Sequence, residues 1–190
     1  MRALLDDPQY AALIPFVLQW YGAPSESIWH DVEGRPHIIP QGEGGEQGDA
    51  LMPALFCLAM HAALEHIQRD LGPEALVVAY LDDIYIVIPE HMAARAVFSA
   101  RHHLQDRCGI RMHQGKLKAY CPNAPSAVHD LQAFNTPTNE VWVHALPVEE
   151  QGVMVVGTPI GTTEFCEAQF ANRLNAQRDF LQVLEDLEQA

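Results

Sequence analysis

At 190 residues, the chain is long enough for one domain with a hydrophobic core. Hydrophobic residues at 48% and charged residues at 19% exclude a disordered chain, and no apolar run approaches the roughly 20 residues of a membrane-spanning helix. Lys and Arg number 11 against 25 Asp and Glu, a net charge of −14 at pH 7, which matches a phosphate backbone poorly.

The first residues, Met1-Arg2-Ala3-Leu4-Leu5-Asp6, show no basic head, long apolar stretch or small-residue cleavage site, so an intracellular protein without a membrane partner is expected. Pro8 suits the first turn of a helix, and residues 10–21 are apolar up to a stop at Gly22-Ala23-Pro24. Residues 27–32 and 37–40 flank Glu33-Gly34-Arg35 as a hairpin. Residues 41–48 are rich in glycine, a backbone suited to turning or to close approach. Asp49 then serves as N-cap of a helix over 50–71, with Leu51, Leu55, Leu58, Ala62 and Ile67 near one face.

Gly72-Pro73 ends that helix. Residues 76–80 and 84–88 read as two buried strands joined by Leu81-Asp82-Asp83, a tight hairpin with two carboxylates at its tip. A helix follows from Pro89 to about Cys108, closed by Gly109. Residues 110–113 suggest a short strand and 115–118 a loop, while the Pro- and Asn-rich stretch 122–140 reads as an irregular surface insertion. A strand over 153–156 enters Gly157-Thr158-Pro159-Ile160-Gly161. The tail, 163–189, is a long amphipathic helix carrying Phe165, Phe170, Leu174, Leu181 and Leu184. Interleaved strands and helices without regular βαβ alternation indicate an α+β fold.

Cys57, Cys108, Cys121 and Cys166 lie far apart with no C-x-x-C and read as reduced thiols. Cys108, His113 and Cys121 lack a fourth ligand at zinc spacing and are expected to be scattered core and loop residues. His61, His66, His102 and His103 fall on predicted helices and receive no chemical role. Trp20, Trp29 and Trp142 are expected to pack in core and hairpins rather than to stack on bases.

The chemistry concentrates at Tyr80-Leu81-Asp82-Asp83. Adjacent carboxylates repel, and a divalent cation relieves the repulsion, since Mg²⁺ takes one or two carboxylates plus substrate phosphates. On the tetrapeptide alone a solvated Asp-Asp turn explains the residues as well. The glycine segment has no Gly-Lys-Ser/Thr, and Glu43 and Glu46 would repel a phosphate, so it is no phosphate-binding loop by itself.

Four segments in order carry a resemblance: residues 47–56 beginning Gln47-Gly48-Asp49, then Tyr80-Leu81-Asp82-Asp83, then Gly115-Lys116, then Val156-Gly157-Thr158-Pro159-Ile160-Gly161. They resemble motifs B, C, D and E of reverse transcriptases, most closely the non-LTR retrotransposon type, over residues 26–165. The resemblance implies a polymerase palm with its YxDD β-hairpin, partial fingers and the start of a thumb, with residues 1–162 as fingers and palm and 163–190 as the thumb's first helix. It implies catalysis by Asp82, Asp83 and Lys116, with Mg²⁺ or Mn²⁺ on the two aspartates. Gln47, Gly48 and Tyr80 would meet the incoming nucleotide and template, Lys116 the triphosphate, and Gly157, Thr158, Pro159 and Gly161 would form the primer grip. RNA template, DNA primer and deoxynucleoside triphosphates are the implied partners.

The sequence departs from the pattern in three places. The family's third carboxylate comes from a preceding strand, motif A, which has no counterpart here; Asp6 and Asp7 read instead as a helix start. Leu117 stands where a threonine follows the motif D lysine. Most of the fingers and thumb have no counterpart. The expectation is therefore a fragment beginning after motif A and inactive alone. Two rivals are a degenerate retroelement-derived domain with no catalysis and a binding role or none, and a metal-dependent phosphohydrolase, which would want Asp-x-Asp or a histidine-rich cluster.

Overall fold

Two prolines shape the first element. Pro8 opens a 3-10 turn, Pro8–Leu13, that runs into helix α1, Ile14–Tyr21, which has a second proline in its first turn. The structure, a computed structural model, describes residues 8–41, 48–123 and 129–188 and divides into two compact units, Met1–Ala63 and Leu64–Ala190. Asp6 and Asp7 fall outside the described residues.

In the first unit α1 ends where the Gly22 N–H donates to the Leu18 carbonyl at 3.0 Å. Strands β1, Ser25–His30, and β2, Pro36–Gln41, pair antiparallel from Ser25↔Gln41 to His30↔Pro36. Asp31 builds their turn: its Oδ1 accepts the Glu33 and Arg35 N–H groups at 2.9 and 3.0 Å. Its Oδ2 meets His37 Nε2 and Arg35 Nε, each at 3.0 Å, and Gly34 takes the left-handed conformation the turn needs, φ 77°. His37 first, then the backbone and side chain of Arg35, hold the Asp31 carboxyl below the usual range. Trp20 and Trp29 are 65% and 56% exposed, against the expected packing. Nearly every residue of the β1–β2 ribbon is exposed on both faces, and the ring that Trp29 meets among the described residues is that of His37, 5.3 Å away.

Helix α2, Met52–Leu71, crosses the boundary between the units. Asp49 braces the approach to it, with Oδ1 accepting the Leu51 N–H at 2.8 Å and Oδ2 accepting the Tyr21 hydroxyl at 2.7 Å. The helix starts at Met52 rather than residue 50, the Leu51 carbonyl accepting the Leu55 N–H at 3.1 Å. The buried stripe is Met60, Ala63, Ile67 and Leu71. Only Ile67 belongs to the predicted face, and Ala62 is exposed. The cause lies at the helix end. Gln68 Nε2 donates to the Gly72 and Ala75 carbonyls and its Oε1 accepts the Val77 N–H, which ties the last turn to the following strand and turns Ile67 and Leu71 inward.

The second unit continues with β3, Leu76–Tyr80, and β4, Asp83–Val87, an antiparallel pair in register Leu76↔Val87 to Tyr80↔Asp83. The pair was expected to be buried, and it is not. Leu76, Val78, Tyr80 and Val87 are exposed, while Val77, Ala79, Ile84 and Ile86 are half-buried, the alternation of a ribbon covered on one face. A 3-10 turn, Glu90–Met92, leads into α3, Ala93–Cys108. Gly109 at φ 68° closes α3, with the Gly109 and Ile110 N–H groups donating to Gln105 and Leu104 carbonyls at 3.1 Å. That cap spends the Ile110 N–H on the helix, and residues 110–113 form no strand.

Residues 122–140 correct the sequence reading most. Within the described part, Leu131 and Phe134 on the 3-10 turn His129–Phe134 form a buried cluster with Val141 and Trp142. Ala93, Ala94 and Val97 of α3 pack against it. Composition marked this stretch as a loop, yet Leu131 and Phe134 both point into one core. Asn139 is buried too, and its Nδ2 donates to the Gln114 and Leu117 carbonyls at 3.0 and 2.9 Å.

Strands β5, Gly152–Val155, and β6, Thr158–Gly161, form the last hairpin, and α4 runs Thr163–Glu188. Phe165 is buried, but Phe170 and Leu174 are exposed, so only the first turn of the expected amphipathic face is covered; the Leu181 and Leu184 side chains lie outside what is described. Gly152 and Gly161 pair directly and make room for the Phe165 ring. A Cβ on Gly161 would lie 2.5 Å from the Gln151 carbonyl oxygen and 2.6 Å from Gly152 Cα, both backbone atoms that cannot step aside. Gly161→Ala is therefore expected to cost about 1–3 kcal/mol, read from urea unfolding.

Asp70 joins α2 to α3. Its Oδ2 accepts the Ser99 hydroxyl at 2.9 Å and meets His103 Nε2 at 3.1 Å, and Arg95 donates to the Asp70 carbonyl oxygen. Ser99, then His103, hold the Asp70 carboxyl below its ordinary range. A folded-state pKa below the unfolded value of about 3.9 gives stability that is whole above that value and lost as pH falls through the folded one. Ser99→Ala should melt below the wild type at pH 7, and the gap should narrow as the pH falls below about 4. A gap that stays constant with pH would assign the loss to packing of the buried Ser99 rather than to the carboxylate.

Candidate functional site

Asp82 and Asp83 stand at the tip of the β3–β4 hairpin, both exposed. The loop is two residues, Leu81-Asp82, and Leu81 takes φ 54°, a left-handed conformation that costs a non-glycine residue about 1–3 kcal/mol. Directly paired residues share a face, so Tyr80 lies opposite Asp83 and Tyr85 follows on the same side. The Tyr85 hydroxyl donates to Asp83 Oδ2 at 3.3 Å.

The β5–β6 hairpin meets this one. Its two-residue loop is Val156-Gly157, both left-handed at φ 46° and 77°, the geometry of a type I′ turn. The Val156 N–H donates to the Tyr85 hydroxyl oxygen at 3.0 Å, and Arg173 of α4 donates to the Gly157 carbonyl. Tyr85 thus joins the hairpin that carries Tyr80, Asp82 and Asp83 to the hairpin bearing Gly157, Thr158, Pro159 and Gly161. The close approach of the Gln151 and Gly152 backbone, with the Phe165 ring behind it, accounts for the glycine at 161.

Lys116 sits exposed on the 3-10 turn Gln114–Lys116, whose two ends the buried Asn139 amide holds. Among the described residues no hydrogen bond or ion pair joins Lys116 to Asp82 or Asp83. Gln47 lies outside the described residues. Gly48, in the first unit, has φ 97°, a conformation reserved for glycine, immediately before Asp49, which braces the approach to α2.

As a metal site the hairpin tip is open. Two adjacent, exposed carboxylates are hard oxygen donors of the kind Mg²⁺ accepts while keeping waters or phosphates as its other ligands. Among the described residues no group of three His, Cys, Asp or Glu is arranged to hold a metal ion, and no disulfide joins the four cysteines. Neither a closed zinc site nor a dedicated cage is built there.

Tyr85 and Asn139 received no role in the sequence reading, and Val156 entered it only as the first residue of the motif E-like segment. Tyr85 carried a signal, since a residue two positions beyond Asp83 on a strand must share its face. Nothing local marks the bond of Val156 to Tyr85 or those of Asn139, since their partners lie 71 and 25 residues distant.

A family model described as reverse transcriptase (RNA-dependent DNA polymerase) matches residues 8–160. The chain belongs to the reverse transcriptase family. The match takes in α1 through most of β6, including the Gly48 turn and both linked hairpins. No curated protein and no solved structure matches the chain. Reverse transcriptase domains bind nucleic acid and nucleotides and generally use divalent metals, which agrees with the open carboxylate pair. No helix among the described residues is long and apolar enough to cross a membrane.

Proposed function

We propose that this reverse transcriptase domain is of the non-LTR retrotransposon type and is built for RNA-directed DNA synthesis, with Asp82 and Asp83 as its metal-holding carboxylates. The observation that carries the reading is the pair itself, two exposed carboxylates on a hairpin tip within a chain of this family. Mg²⁺ or Mn²⁺ bound there would activate a primer 3′-hydroxyl and stabilise the leaving pyrophosphate. Lys116, exposed on a turn pinned by Asn139, carries the charge that would meet a triphosphate. Gly48 offers a side-chain-free approach beside Gln47 for nucleotide and template. The 157–161 hairpin would lie against the primer, residues 1–162 would form fingers and palm, and α4 would begin the thumb.

Two carboxylates do not complete the set of ligands that two metal ions need. Among the described residues no third His, Cys, Asp or Glu joins the pair, and the sequence has no counterpart of the motif A strand that would supply it, so the 190-residue chain is read as inactive alone. The same observation, with a charge of −14, favours as second reading a retroelement-derived domain that has lost catalysis. The test is Mn²⁺ binding to the 190-residue chain, followed by the paramagnetic resonance of the free ion. Weak binding that disappears in the Asp82→Asn, Asp83→Asn double variant supports the catalytic reading. Binding that survives in the double variant, or none in the wild type, sinks it.

A further inference from the structure

Among the described residues only two non-glycine positions have positive φ: Leu81 at 54° and Val156 at 46°. Each sits at the tip of a hairpin, in a place where glycine or asparagine would be at ease. A branched valine is the least suited of side chains to that conformation. Strain at each persists only where surrounding contacts hold it. One atom touches both tips. The Tyr85 hydroxyl gives its proton to Asp83 Oδ2, two residues beyond Leu81, and takes the Val156 N–H on its lone pair. From the other side Arg173 grips the Gly157 carbonyl, so the Val156-Gly157 turn is clasped by the β3–β4 hairpin and by α4 together.

We infer that Tyr85 is a positioning residue, coupling the orientation of the Asp83 carboxylate to the conformation of the Val156-Gly157 turn. The inference rests on the metal-holding role proposed for Asp83. With its donor bond to Oδ2, Tyr85 fixes the carboxylate rotamer and leaves Oδ1 for a cation. With its acceptor bond, it makes that rotamer depend on where the β5–β6 tip lies. A primer that presses on the turn would thereby adjust the carboxylate, and a cation drawn to Asp83 would stiffen the turn. Neither effect needs Tyr85 to touch substrate.

The test uses the 190-residue chain, Tyr85→Phe, and Mn²⁺ as probe. Two quantities are read: hydrogen exchange at the Val156 amide and Mn²⁺ affinity. Without metal, Tyr85→Phe should speed Val156 exchange by about tenfold, the worth of one net hydrogen bond. In the wild type, Mn²⁺ should slow that exchange, and in Tyr85→Phe it should not. Mn²⁺ affinity should fall by about three- to tenfold in Tyr85→Phe. Asp83→Ala, at an exposed position, reports the coupling from the other end and should abolish the Mn²⁺ effect on Val156 even if Tyr85→Phe folds poorly. If the wild type binds Mn²⁺ through Asp82 and Asp83 while Tyr85→Phe leaves both the affinity and the Val156 response unchanged, the coupling is wrong and the metal site stands. If Mn²⁺ does not bind the wild type at all, the metal reading and the positioning role fall together, whatever Val156 does.

Discussion

Given an RNA template, a DNA primer, deoxynucleoside triphosphates and Mg²⁺ or Mn²⁺, the 190-residue chain is expected to extend nothing. Joined to an upstream palm strand that ends in aspartate, taken from a related element, it is expected to extend the primer. Asp83→Asn in that fusion should then cut the rate by at least ~10²-fold. In-line displacement requires the hydroxyl and the α-phosphate to be aligned by metals held within fractions of an ångström, and a misplacement of about 1 Å costs that much. Asp83 is exposed, and a surface change of this kind moves stability by no more than ~0.5 kcal/mol, so the loss would reflect chemistry and not unfolding. Robust extension by the unmodified chain, lost in Asp83→Asn, would mean that a carboxylate already present, such as Asp6 or Asp7, completes the site. An inert fusion would favour the domain without catalysis.

Trp142→Ala is expected to be among the most damaging single changes in the chain. The indole is 5% exposed in the cluster with Leu131, Phe134 and Val141. Its backbone is in a parallel bridge with Ala119, where the Ala119 N–H donates to the Val141 carbonyl at 2.8 Å and the Val143 N–H to the Ala119 carbonyl at 3.1 Å. The backbone cannot move inward to fill the hole. A buried tryptophan reduced to alanine costs about 3–5 kcal/mol, against a total of about 5–15 kcal/mol for a domain. Urea unfolding should show the midpoint falling accordingly. A loss under about 1 kcal/mol would restore the surface-insertion reading of this region.

That region shows where sequence reasoning ran out. Elements set by local chemistry were legible: the Gly109 cap, the Glu33-Gly34-Arg35 turn and the Asp82-Asp83 hairpin all follow from residues within a few positions of one another. Burial was not local. The buried stripe of α2 was displaced by Gln68, whose three hydrogen bonds reach forward to residues 72–77. The cluster around Trp142 gathers apolar residues from 93 to 142 that no window of helical or strand length contains. The candidate site divides in the same way. The carboxylates announce themselves, but Tyr85 matters only because Val156, 71 residues away, comes to lie beside it.

The described strands are paired in twos and no further, β1 with β2, β3 with β4, β5 with β6. Each therefore keeps one edge without a neighbouring strand, and β1 and β2 add Ile28, Trp29, Ile38 and Ile39 as exposed apolar surface. Open edges of this kind invite another chain to add itself as a next strand. At neutral pH the surplus of carboxylates keeps copies apart by mutual repulsion. Near pH 4.9, where the net charge vanishes, that protection is gone while the edges remain. Acidity thus decides not only how firmly Asp70 holds α2 to α3 but whether the molecules in a tube stay dispersed or stack into sheets.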